Sequence, residues 1–233
     1  MIKIENTETC GWEAAIRGMR NPMNSWDKSD SDWHNDPIYD EENPIFIHDK
    51  PIFSIGSNDL DLMKRLCNAG TDHRKFMRMI AVYCDVTAPL YWWKEFDTYK
   101  VGTVVNSCST MHKIQAKEFT LDDFSHEHIF NNETLIDSNQ QFSSTIPHQV
   151  LCSIINCLNG AREKYLETKD KKYWWQMIQL LPSSYNQKRT VMMNYEVLTN
   201  IYKSRKNHKL DEWRTFCDWI KTLPYYELIT GEE

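Results

Sequence analysis

Four residues late in the chain, Asn194, Leu198, Ile201 and Arg205, fall within one narrow face of a 3.6-residue helical repeat. Asn200 lies on the flank of that face, beside Met193, Val197 and Ser204. An Asn or an Arg buried on an apolar face costs several kcal/mol, on the order of 2–5, unless it finds a partner. A guanidinium can grip a phosphate or a carboxylate through two parallel N–H bonds. Two readings of Arg205 therefore stand side by side: it meets an anionic ligand, or it pairs with a carboxylate at a subunit contact.

Those side chains need a scaffold, and the spacing of apolar residues outlines one. The Pro182-Ser183-Ser184 turn, with either Ser as N-cap, predicts a helical run leading through Arg205. Met1 to Ile4 alternates like a strand, and Trp12 to Met19 reads as a helix. Ser57 to Gly70 is a helix by its cap, its early Asp59 and Asp61, its apolar positions and the closing Gly70. Phe76 to Val86 has the β-branched and aromatic content of a strand, with a helical start as the alternative. After Ala88-Pro89, Trp92, Trp93 and Phe96 give Leu90 to Tyr99 helical spacing. Val101 to Met111 is rich in Gly, Thr, Ser and Asn and is expected to be loop. Pro147 opens an amphipathic helix to Leu166, the charged run 162–172 marks a solvated helix end and loop, and Tyr173 to Leu181 is a further helix. Leu210 to Leu223 carries the stripe Trp213, Phe216, Cys217, Trp219 and Ile220, and Pro224 stops it.

Two stretches lack a clear period. Residues 21–54 hold many Asp, Asn, Ser and Pro residues, with Trp26, Trp33, Ile45, Phe46, Ile52 and Phe53 interspersed. An ordered, irregular excursion packed through its aromatics is expected there, within one domain spanning 1–233. Residues 117–147 carry turns and the His126-Glu127-His128 triplet. Only the two His side chains would share a strand face, and no third ligand accompanies them, so no metal site is expected.

Composition narrows the function classes. With 41% hydrophobic and 12% aromatic residues, 233 residues can bury a substantial core. A net charge of -6 argues against general nucleic-acid binding, which needs a basic face, but leaves room for a local positive pocket. The seven cysteines are scattered without a CxxC, as in a reduced, cytoplasmic protein. No apolar run is long enough to cross a bilayer, so no membrane partner is expected.

The order Leu181-Pro182, Asn194, Leu198, Asn200, Arg205 and then an acidic-Trp stretch resembles the C-terminal signature of flavin-dependent thymidylate synthases, which place an Asn five residues before an Arg. His208 lies one position from the family's His. Upstream, the helix at 57–70, Gly70 to His73, Phe76, a strand and Ala88-Pro89 follow the family's order, so the resemblance runs from about residue 57 to 223. The diagnostic Arg-His-Arg motif is replaced. Thr98-Tyr99-Lys100 stands in its place, Thr103 stands for the following Ser, and Ser109-Thr110-Met111 for Ser-x-Arg. A further family Arg near Met177-Ile178 is missing, and only Lys100 keeps a positive charge.

The resemblance implies an α/β (α+β) fold with a central, mostly antiparallel sheet and long flanking helices. It implies a homo-oligomer, a tetramer, with sites built across subunits. Arg205, Lys100, Ser109, Thr110 and Tyr99 would bind a nucleotide, in the family dUMP. His73, Asn194, Asn200, Thr98 and Thr103 would face the cofactor, FAD, and His112 would line the same cleft. An active member is a methyltransferase that passes a one-carbon unit from folate to the base with hydride from reduced flavin. Losing three or more charge-assisted contacts, each worth roughly 1.5–3 kcal/mol, weakens nucleotide monophosphate binding by orders of magnitude. The alternative expectation is a catalytically silent homologue that binds or sequesters a nucleotide or nucleotide-like signal, as would suit a phage setting.

Overall fold

The computed structural model describes residues 2–39, 46–136 and 144–232. Its elements are, in order, β1 (Lys3–Cys10), α1 (Trp12–Arg20), β2 (Asp32–Tyr39), β3 (Phe46–Ser54), α2 (Ser57–Asn68), β4 (Ala81–Pro89), α3 (Leu90–Phe96) and β5 (Val104–Ser107). There follow β6 (Leu135–Ile136), β7 (Ser144–Thr145), α4 (Pro147–Thr168), α5 (Lys171–Leu180), β8 (Asn186–Asn194), α6 (Tyr195–Arg205), α7 (Asp211–Ile220) and α8 (Glu227–Thr230).

Four strands form the central sheet in the order β1-β4-β8-β5, every pair antiparallel. Along β4 the buried residues Val82, Cys84, Val86 and Ala88 alternate with more exposed ones, the period of a strand with one face on a core. Helices pack on that face. Trp92, Trp93 and Phe96 of α3 are fully buried: Trp92 and Phe96 lie against Trp213 and Phe216 of α7, with Trp92 and Trp213 ring centroids 4.7 Å apart, and Trp93 lies against β8, its Nε1 donating to the Gln187 carbonyl. The aromatics of these two helices are thus ordinary core of a single protomer. Such rings contribute roughly 1.5–3 kcal/mol each in burial alone. A second, smaller core joins α4 and α5 to the segment 114–124, through Ile114, Phe119, Phe124, Leu158 and Met177.

Several expectations need correction. The run after Pro182 is not a continuous helix. Residues 186–194 form β8, which pairs with β4 on one side and β5 on the other, so its backbone bonds are satisfied in the sheet. Ser183 and Ser184 cap nothing: their carbonyls accept bonds from the Tyr91 and Ser125 N–H groups. The helix starts only at Tyr195, capped by the Asn194 side chain, which accepts from the Val197 N–H at 3.0 Å. The hydroxyl-rich stretch after Val101 contains the edge strand β5, all four residues exposed, which hides the usual alternation. In 76–86 a short 3-10 turn, Lys75–Arg78, precedes the strand. The first turn of α2 follows Gly56, and the Asp30 carboxylate supplies the cap by accepting from the Asn58 and Asp59 N–H groups at 2.9 and 3.1 Å.

The excursion over 21–54 is more regular than expected. It holds two 3-10 turns and the β2–β3 hairpin, in register from Asp32 opposite Ser54 and Trp33 opposite Phe53. Residues 40–45, with Ile45, lie outside the described residues, as do 137–143 of the turn-rich stretch. The polar content of 25–31 has a structural purpose. Asp59 of α2 is fully buried; one oxygen accepts from Arg20 Nε at 2.6 Å, and the other from the hydroxyls of Ser29 and Ser31 and the N–H groups of Asp30 and Ser31. Burial raises the affinity of this carboxyl for a proton, yet the bonds from Ser31, Ser29 and Arg20 outweigh it and leave the group below its ordinary range.

Candidate ligand-binding site

The late Arg ends α6, and its guanidinium is held within its own protomer. Arg205 Nη1 donates to Glu95 Oε2 at 2.6 Å and Nε donates to the Tyr99 hydroxyl at 2.9 Å. The guanidinium carbon stands 4.7 Å from the Trp213 ring centroid and 5.7 Å from that of Tyr99. Trp213 Nε1 donates to the same Glu95 oxygen at 2.8 Å, and His208 Nε2 lies 3.6 Å from it. Three parts of the chain thus converge: the last turn of α3 with the turn that follows it, the end of α6, and the start of α7. The Arg205 side chain is 18% exposed, so this carboxylate contact is partly desolvated. Arg205 thus pairs with a carboxylate of its own protomer rather than one across a subunit contact. His208 Nε2 also lies 3.1 Å from Arg205 Nη1, and Nδ1 lies 3.2 Å from the Leu210 N–H. Neutral imidazole has one bare nitrogen, so it accepts from only one of them at a time.

The other candidate residues divide into near and far. Thr98 is exposed on the turn after α3, and its hydroxyl donates to the Glu95 carbonyl at 2.7 Å. Lys100 is exposed on the same turn. Gly102, at φ +77°, presses against α6: a Cβ there would stand 2.9 Å from Asn194 Nδ2. The Thr103 hydroxyl is buried without a hydrogen-bond partner. Turn 98–103 therefore runs alongside α6, with Gly102 against Asn194 at the helix start and Tyr99 against Arg205 at its end.

Ser109 and Thr110 are elsewhere. Cys108 N donates to the Lys188 carbonyl, at the opposite end of β8 from Asn194. Ser109 Oγ accepts from the Met111 and His112 N–H groups and so closes a local turn. The hydrogen bonds of Arg205 go to Glu95 and Tyr99, not to these two residues. His73 is exposed in the turn after α2, and Asn200 is exposed on α6.

Sequence reasoning missed Glu95 and the buried pair of Arg74 with Glu196. Arg74 Nε and Nη2 donate to the two Glu196 oxygens at 2.8 and 3.0 Å, with both side chains under 10% exposed. Tyr91 donates to Glu212, and burial with that carboxylate pushes its phenol above its ordinary range. Burial raises the Cys67 and Cys84 thiols to about 12, which keeps these two protonated and unreactive. His126 and His128 turn to the Phe124 carbonyl and to Asp211 respectively. Among the described residues no cluster of three or more metal-type ligands occurs, and no helix is long and apolar enough to cross a membrane.

No protein-family model and no curated protein matches the chain. Solved structures do. Flavin-dependent thymidylate synthase ThyX from Helicobacter pylori, complexed with FAD and dUMP, matches at a TM-score of 0.65 with 14% identity, over 98% of each chain. A second structure of the same protein with FAD and dUMP gives 0.64 and 14%, over 99% of this chain and 98% of that one. A UMP/dUMP methylase, PolB from Streptomyces cacaoi, bound with 5-Br dUMP, gives 0.58 and 16%, over 99% and 95%. The chain has the fold of these proteins along its whole length, with the mixed architecture and antiparallel sheet expected of it.

Proposed function

We propose that this chain binds a nucleotide of the deoxyuridine class beside Tyr99, Lys100 and Arg205 and does not carry out flavin-dependent methyl transfer. The observation that supports it is the convergence of Tyr99 and Arg205 at 2.9 Å on a fold whose solved neighbours hold dUMP. Tyr99 offers a ring to a base, Lys100 a solvent-facing charge, and Arg205 its remaining Nη2 edge. Glu95 already answers most of the guanidinium charge, so a phosphate gains less here than at an unpaired Arg. Ser109 and Thr110 enter this reading only through a neighbouring subunit, in the oligomer expected by resemblance.

Flavin fits less well. Of the five residues assigned to it, Asn194 is spent on capping α6 and Thr98 on the Glu95 carbonyl. His73 and Asn200 remain open to solvent, Thr103 is buried, and none of the five is a permanent cation to face a pyrophosphate. No reaction step is therefore derived through flavin, and the reading is a binding protein. Calorimetry with dUMP, deoxyuridine and FAD tests it, with light scattering for the oligomer. Saturable dUMP binding weakened by Arg205→Gln, without uptake of FAD, is expected. Absence of heat with dUMP and deoxyuridine, or a yellow protein that methylates dUMP, would sink it.

A further inference from the structure

At the Lys188 end of the sheet, beyond Ser109, a different cavity gathers cations that pair with no carboxylate among the described residues. It has a volume of about 410 Å³ and lies between the α4–α5 hairpin and the turn after β5. Tyr165 and Lys169 come from α4 and its C-cap, Lys171 and Trp174 from α5, and His112 and Gln115 from the turn. Among the described residues no Asp or Glu lines it, although the chain carries a net charge of -6. The nearest carboxylate in sequence, Asp170, is taken up elsewhere: it accepts from the Lys172 N–H and pairs with Lys172 Nζ, both at 3.0 Å.

The walls are fixed. Trp174 Nε1 donates to the Met111 carbonyl at 2.9 Å, which sets the plane of the indole. Arg162 Nε donates to the Gln115 carbonyl at 3.0 Å and ties the turn to α4. Lys169 sits at φ 57°, with its N–H on the Tyr165 carbonyl, so the hairpin corner is set by its backbone. The two ammonium groups, by contrast, rest over ring faces: Lys171 Nζ is 5.6 Å from the Trp175 centroid and 5.8 Å from that of Trp174, and Lys169 Nζ is 6.0 Å from that of Tyr165. At the cavity margin the Gln115 side-chain oxygen is screened from solvent and has no hydrogen-bond partner.

We infer that this cavity is a binding site for a small planar anion, an aromatic ring bearing a phosphate or carboxylate. The ring would lie against Trp174 and Tyr165, and the anionic group would draw Lys169 and Lys171 off their ring faces, with His112 at the lip. An anion near two ammonium groups is favoured by charge, and a ring on an indole face by burial and quadrupole contact. The volume lies at the lower end of ligand pockets, which suits one ring and one anionic group. This site shares no residue with the Arg205 face, so either assignment can fail alone.

Calorimetry with the intact protein and phenyl phosphate, inorganic phosphate and phenol tests the inference, with indole fluorescence as a second readout. Phenyl phosphate is expected to bind one to one, and at least tenfold more tightly than either phosphate or phenol. The double variant Lys169→Gln with Lys171→Gln keeps the side-chain stems and should raise its Kd tenfold or more. Trp174→Phe retains a ring and should raise it severalfold, while Arg205→Gln should leave it within twofold. No saturable binding of phenyl phosphate, equal affinity for inorganic phosphate, or a Kd unmoved in the lysine double variant would each overturn the assignment.

Discussion

Two regions of the molecule treat positive charge in opposite ways. At the end of α6, Arg205 is pressed between Trp213, Tyr99 and the Glu95 carboxylate. At the α4–α5 corner, Lys169 and Lys171 lie over aromatic rings beside a cavity that, among the described residues, has no acidic lining. A cation that has been desolvated must be matched by the fold itself, because leaving it unpaired costs several kcal/mol. A cation that keeps water at its head can stay unmatched, and it is then available to something else. Arg20 on Asp59 and Arg74 on Glu196 follow the first pattern. What an arginine or lysine side chain does here depends less on its type than on whether a carboxylate has been buried with it.

That contrast can be broken most severely at the deepest pair. Asp59→Ala strips Arg20, two serine hydroxyls and two backbone N–H groups of their shared acceptor. It should lower unfolding free energy by roughly 3–5 kcal/mol in urea melts. The same carboxyl sets a pH dependence. Its folded pKa is lowered, so its stabilisation is present above its unfolded value, near pH 4. That stabilisation should disappear as pH falls through the lower folded value. Urea midpoints measured from pH 6 to 3 should decline at the acid end, and Asp59→Asn should flatten this part of the curve.

At the Arg205 face the effects are smaller, since both partners keep some exposure. Glu95→Ala should cost about 2 kcal/mol, read as a lowered urea midpoint. The milder Glu95→Gln keeps an acceptor for Trp213 while removing the charge. It should tighten dUMP binding by about tenfold, or about 1.4 kcal/mol, measured by calorimetry; unchanged or weaker binding would show that Glu95 does not compete for the guanidinium. The least effect is expected at the α4–α5 corner, where Lys169→Gln with Lys171→Gln should leave unfolding free energy within about 0.5 kcal/mol of the parent.

Helices with a clean apolar stripe were legible from the residues alone. Leu62 and Met63 in α2, Trp92 to Phe96 in α3, Leu151 to Leu158 in α4 and Trp213 to Ile220 in α7 all face cores as their spacing implies. β8 was not legible, because Lys188, Arg189 and Thr190 interrupt its alternation and a Ser-Ser pair before it looks like a helix cap. Its strand character comes from β4 and β5, which are distant in sequence. The ion pairs were hidden for the same reason. Glu95 and Arg205 are 110 positions apart, and Arg74 and Glu196 are 122 apart, so no local pattern joins them. The Arg205 face could be located from spacing, while its occupant could be found only in three dimensions.

Gly102 carries a last consequence. With no room for even one carbon between its backbone and the Asn194 amide, the segment bearing Tyr99 and Lys100 and the helix bearing Arg205 are geared together at a single tooth. Adding a methyl group at that position would have to lift the segment, twist the Asn194 side chain off the helix start, or both. The spacing between this segment and the start of α6 is thus set by the smallest residue in the vicinity, one whose positive φ also suits no larger side chain.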